Sequence, residues 1–148
     1  MPGDTQQPLI SSEVFAVLTS LFATILAPTL DILDHGKVTQ FRCADSGRCL
    51  FRVKDPDVQT QSDGLKRASG NPTSWDVVDD FCFCLFYAKQ CLNEKGASIF
   101  CKHVLAAKLA QALCESHPDK PILVVKEIDP QDFLPLLLAS RVHLTKYD

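Results

Sequence analysis

Residues 81–103 read FCFCLFYAKQCLNEKGASIFCKH: Cys82-Phe83-Cys84, sixteen residues, then Cys101-Lys102-His103. Three thiols and one imidazole in two close pairs match a tetrahedral Zn²⁺ site of the Cys₃His type. In extended backbone, residues two apart point to the same face, so Cys82 and Cys84 converge while Phe83 turns into a core. VLAAKLAQAL follows directly, so Cys101 and His103 open a helix. Three thiolates and a neutral imidazole around Zn²⁺ carry a net charge of about −1. A helix N-terminus offsets this with roughly half a positive charge, and Lys102 adds a cation. The competing reading is a set of buried, reduced cysteines, because free Cys is among the most buried residue types. Two pairs with matched gaps, one closing on His at a helix start, favour the metal. Four protein ligands close the shell and leave no position for water or substrate, so the expected metal is structural. Cys91, between the pairs, has no partner at one-residue spacing and is read as a bystander.

The pattern C-x-C-x16-C-x-H, followed by an apolar helix, resembles the SWIM-type zinc finger, with Cys82, Cys84, Cys101 and His103 as ligands. Upstream, TLDILDHGKVTQFRCADSGRCLFRV resembles the segment before the finger in the small SWIM-domain subunit of the Shu complex. EIDPQDFLPLLLA is similar to that subunit's C-terminal helix, and the likeness spans residues 14–139. It implies a zinc-binding, non-catalytic subunit that supports homologous recombination and DNA double-strand break repair in the nucleus. It also implies pairing with a RecA-like recombinase paralogue and promotion of recombinase filaments, with single-stranded DNA reached through the complex. Two alternatives stand beside it: a zinc finger that binds DNA directly, and a SWIM protein-interaction module of another pathway.

At 148 residues the chain is expected to form one small α+β domain, able to bury ~68–70% of its unfolded surface. Residues 1–10 read as a flexible lead and 11–148 as the domain, with a finger core at 75–114 and a polar loop at 55–73. Hydrophobic residues make up 46% and charged residues 22%, ordinary for a globular fold. A net charge of −3 argues against a protein whose main task is gripping phosphate backbone. The lead MPGDTQQPLISSE lacks the basic and apolar regions of a signal peptide. No apolar run reaches the ~18 residues of a membrane span. Seven cysteines in such a chain imply a reducing compartment, where clustered Cys reads as metal. No nucleophile–base pair or phosphate-cradling Gly loop appears, and Asp79-Asp80 has no base or electrophile beside it. Neither an enzyme nor a small-molecule substrate is expected.

Elsewhere, Ser11 or Ser12 caps a helix whose apolar residues run from Val14 to Leu26 at helical spacing. Its breadth means either deep burial or one face given to a partner. Pro28 interrupts, a short second helix or a kinked continuation follows over 29–35, and Gly36 is its C-cap. Residues 38–44 and 49–53 form a hairpin about Asp45-Ser46-Gly47-Arg48, with Cys43 and Cys49 facing across it if the register permits. Lys37, Arg42, Arg48, Arg52 and Lys54 make this the most basic part of the chain. Leu85, Phe86 and Tyr87 form either an apolar wall behind the metal or a helical turn. Residues 102–114 form a helix with Leu105, Leu109, Ala112 and Leu113 inward, and 122–125 either a buried strand or an extended packing segment. Asp129-Pro130 starts a last apolar helix, which Pro135 either bends or displaces.

Overall fold

Ser11 opens the first helix, α1 (Ser12–Leu21), its side chain accepting from the Val14 N–H at 3.3 Å. This satisfies one of the N–H groups that a helix start leaves without an internal partner. The computed structural model describes residues 8–56, 74–93, 96 and 98–141. Most of the expected lead and of the polar loop, 1–7 and 57–73, lies outside the described residues, as does 142–148.

A second helix, α2 (Leu26–His35), leads into strands β1 (Lys37–Cys43) and β2 (Cys49–Lys54), the expected hairpin. Strands β3 (Ser74–Val78) and β4 (Phe81–Cys82) follow, then helix α3 (Lys102–Ser116), strand β5 (Val124–Ile128) and helix α4 (Pro130–Arg141). The five strands make one mixed sheet in the order β4-β3-β2-β1-β5, antiparallel except for the parallel β1–β5 pair. The fold is α+β.

Period-2 alternation gives the sheet two apolar faces. Val38, Val53, Val77 and Cys82 share one, where they join Ile32 of α2 and Val104, Ala106, Ala107 and Ala110 of α3 in the main core. Three alanines on α3 let that helix lie close on the strands. Ile32 is 1% exposed, and truncating it to Ala would cost about 2–5 kcal/mol, as large-to-small changes in packed cores do. Cys43 and Leu50 face the opposite side, packed with Phe133 and flanked by Phe41, Val78, Ile128, Leu136 and Leu137. The sheet is therefore covered by α2 and α3 on one side and by α4 on the other.

Several expectations need correction. The helical run from Val14 stops at Leu21, and α2 starts at Leu26 rather than after Pro28. Pro28 sits in the first turn of α2, where its missing N–H would have had no intrahelical acceptor. No residue of α1 is buried, while Ile25 and Leu26 beyond it are. Gly36 caps α2 in an extended conformation, not a left-handed one. Glycine is required there for space, since a Cβ would stand 2.5 Å from the Lys54 carbonyl oxygen.

Cys43 and Cys49 do not face each other. Cys49 pairs with Arg42, and this one-residue offset puts Cys43 on the α4 side of the sheet. Cys49 stays on the other side, its sulfur 3.0 Å from Gln40 Nε2. The segment expected as a buried strand at 122–125 is offset as well. Strand β5 begins at Val124 on the sheet edge with Val124 and Val125 exposed, and Leu123 just before it is the buried residue. On α3 the buried set is His103 to Ala107 and Ala110, whereas Ala112 is exposed. Pro135 lies inside α4, which begins at Pro130 as read, with the Phe133 N–H bonded to the Asp129 carbonyl at 2.9 Å.

Candidate metal centre

Cys82, Cys84, Cys101 and His103 come together as one group. Their ligand atoms lie within 4.8 Å of one another, and all four residues are buried. Two local structures deliver them. Strand β4 ends at Cys82 against Val77, held by a two-residue turn in which Asp79 takes a positive φ of 54°, a conformation Asp tolerates. Asp80 of the same turn pairs with Lys108 on α3, which gives the Asp79-Asp80 step a structural use. Phe83 is buried and sets its ring edge-on to Phe81 at 5.0 Å. The second pair sits on the start of α3, where Cys101 is itself the N-cap and His103 lies in the first turn.

Backbone donors point at the sulfurs. The Val104 N–H reaches Cys101 Sγ at 3.4 Å and the Tyr87 N–H reaches Cys84 Sγ at 3.3 Å. Hydrogen bonds of this kind favour the thiolate form. Hydrogen bonds from Cys101 and Cys82 hold the Cys84 thiol far below its usual range, and the same contacts push Cys82 far up. Burial opposes a charge on His103, but hydrogen bonds to Asp55, Cys101 and Cys84 outweigh it and raise its pKa to about 10.

The geometry passes the test for a bound ion. Four donors at about 2.0–2.3 Å from one centre in a tetrahedron stand roughly 3.3–3.8 Å apart. His103 Nδ1 lies 3.8 Å from Cys82 Sγ, and no two ligand atoms of the group are more than 4.8 Å apart. A cleft of about 620 Å³, lined in part by Ile25, Trp75, Cys84, Phe86 and His103, adjoins two members of the quartet. The group could hold a metal ion.

Cys91 stays outside the quartet. Its thiol is pushed up to about 11 by burial and by the nearby Cys101 and Cys84, so it stays protonated at neutral pH. Leu85 and Phe86 make no wall behind the site: both are exposed, and they lead into a helical turn continued by a π-helical segment, Tyr87–Cys91. The helical alternative is the one adopted.

Sequence reading overlooked two residues. Asp55 follows the last residue of β2, and its Oδ1 lies 3.1 Å from His103 Nε2 and 3.4 Å from Lys102 Nζ. Trp75 sets its ring against that of His103, centroids 5.7 Å apart. Asp55 and His103 are 48 positions apart, so no local spacing links them. The sequence places Asp55 at the start of the polar loop, which gives no signal for it. Among family models, curated proteins and solved structures, no match to this chain was found.

Proposed function

We propose that the chain is a zinc-binding, non-catalytic subunit of a Shu-like complex, acting in the nucleus in homologous recombination and double-strand break repair. In this reading it pairs with a RecA-like recombinase paralogue, and the assembled complex promotes recombinase filaments on single-stranded DNA. The observation that carries the reading is the buried quartet of Cys82, Cys84, Cys101 and His103, whose spacing resembles the SWIM finger. Zinc is favoured because three thiolates and one imidazole in a closed tetrahedral shell suit a borderline-soft ion without geometric preference of its own. Bound there, zinc would tie β4 to α3, joining the sheet to the helix that covers it. Partner binding would use apolar surface that the fold leaves uncovered: Val14, Val17 and Leu21 on α1 are each at least half exposed. Surfaces of this kind commonly mark interaction sites.

Elemental analysis of freshly purified protein, with and without the co-expressed paralogue, tests both halves. One equivalent of zinc and a stable heteromer are expected. Cys82→Ser should lose the metal and Cys91→Ser should keep it. Folded protein with well under half an equivalent of zinc refutes the metal, and failure to associate with any RecA-like paralogue refutes the assignment to the complex.

A direct DNA-reading finger is the second reading, favoured by the exposure of Lys37, Arg42 and Arg48 on and beside the hairpin.

A further inference from the structure

Neutral imidazole carries one proton on two nitrogens, and the hydrogen bond made by one nitrogen decides which lone pair the other offers. His103 is 3% exposed. Its Nδ1 points toward the sulfurs, 3.8 Å from Cys82 Sγ, while its Nε2 lies 3.1 Å from Asp55 Oδ1. An ionised carboxylate can only accept, so Nε2 must be the donor.

We propose that Asp55 is a positioning residue of the metal site: it accepts the Nε2–H of His103 and thereby fixes the tautomer that presents Nδ1 to the ion. This rests on the zinc reading above and adds to it a residue that no ligand motif contains. Outer carboxylates of this kind orient a ligating imidazole and increase its basicity.

Asp55 is itself held in place. It follows Lys54, which pairs with Ser74 in the β2–β3 ladder, and the next residue, Trp75, sets its ring against His103. Lys102 reaches the same Asp55 oxygen from the first turn of α3. The carboxylate thus joins the end of β2 to the helix that carries two of the four ligands. A purely structural pair between Asp55 and Lys102 would be the lesser account. That pair is longer and its lysine is 39% exposed, whereas the His103 side chain at the shorter contact is only 4% exposed.

The test uses the full chain, with zinc competed against a chelator and the ring nitrogens of His103 observed by ¹⁵N NMR. In zinc-loaded wild type, Nε2 should carry the proton and Nδ1 the metal. Asp55→Ala should weaken zinc binding by about 10–100-fold and speed the exchange of the Nε2 proton. Asp55→Asn keeps a neutral acceptor and should show a smaller loss of the same sign. If Asp55→Ala does not fold, Asp55→Asn decides.

Zinc affinity within about twofold of wild type in the folded variants, far below the change expected for an outer-shell partner, overturns the proposal. A wild-type signature with the proton on Nδ1 overturns it too. Both results leave the metal reading standing. Wild type that takes up no zinc overturns the metal reading itself.

Discussion

Ser140 Oγ donates to Asp76 Oδ2 at 2.7 Å, across 64 residues of chain, and pins α4 to the middle of the sheet. Asp76 is held on its other side by Arg52, whose Nε and Nη2 reach the two carboxylate oxygens at 2.8 and 3.1 Å. The ion pair joins cross-strand neighbours of β2 and β3. Its carboxylate is buried beneath α4 on the face away from the metal quartet.

Removing Asp76 takes the carboxylate partner from the Arg52 guanidinium and leaves the Ser140 hydroxyl only the Leu136 carbonyl as acceptor. Asp76→Ala should destabilise the protein by about 2–4 kcal/mol, the range for losing charged hydrogen bonds in a partly desolvated pair. Ser140→Ala loses one such bond and should cost about 1–2 kcal/mol. Urea unfolding measures both. Neither variant should lose zinc, and a loss of metal would show that the two sides of the sheet are not independent.

Metal-free and metal-loaded protein should respond to pH in opposite senses. In the metal-free protein the pKa of His103 is raised from 6.5 to about 10. Its contribution is therefore fully present below about 6.5 and is lost as pH rises through about 10. The metal needs that nitrogen and the thiols deprotonated, so zinc affinity should increase over the same interval and loading should release protons. Thermal unfolding with and without chelator across this window should show the zinc-dependent gain growing with pH. A gain that is flat, or that shrinks, is inconsistent with the quartet as the ligands.

The outer surface of α1 offers the cleanest probe of partner binding. Val17 is 57% exposed and Leu21 65%, so Val17→Asp and Leu21→Asp should shift the free chain's stability by no more than about 0.5 kcal/mol. Capture of the proposed RecA-like partner should weaken by roughly 30-fold or more if these side chains anchor the interface. Leu138 on α4 is a parallel test, whereas Leu136 and Leu137 pack against the second core and are unsuitable. Unchanged capture by all three exposed-site variants moves the interface elsewhere.

Charge reversal on the hairpin should use Arg42 and Arg48 and leave Arg52 alone, because Arg52 is committed to Asp76. The lone chain should bind single-stranded DNA weakly, and Arg42→Glu with Arg48→Glu should change this little. Tight binding with a steep salt dependence, lost on reversal, would instead make this chain a DNA reader.

The Cys82, Cys84, Cys101 and His103 set was legible from the chain as two pairs, because each pair's information is local: one-residue gaps in extended backbone and at a helix start. Bringing the two pairs into one group is the work of the tertiary fold. The hairpin, α3 and the start of α4 at Pro130 were legible for the same local reason: turn residues, periodicity and an Asp-Pro step act within a few positions. Register and sidedness were not. Whether Cys43 meets Cys49 depends on one residue of offset in a ladder, and composition does not encode that offset. The exposure of α1 and of Val124 and Val125 follows from which strand ends at the sheet edge and which helix finds a cover. Asp55 is the clearest case. Only the sheet, by setting β2 beside β3 and α3 across their face, brings that carboxylate to a histidine 48 residues away. Spacing along the chain could name the four residues of the quartet; the carboxylate beside one of them had to wait for the packing of distant segments.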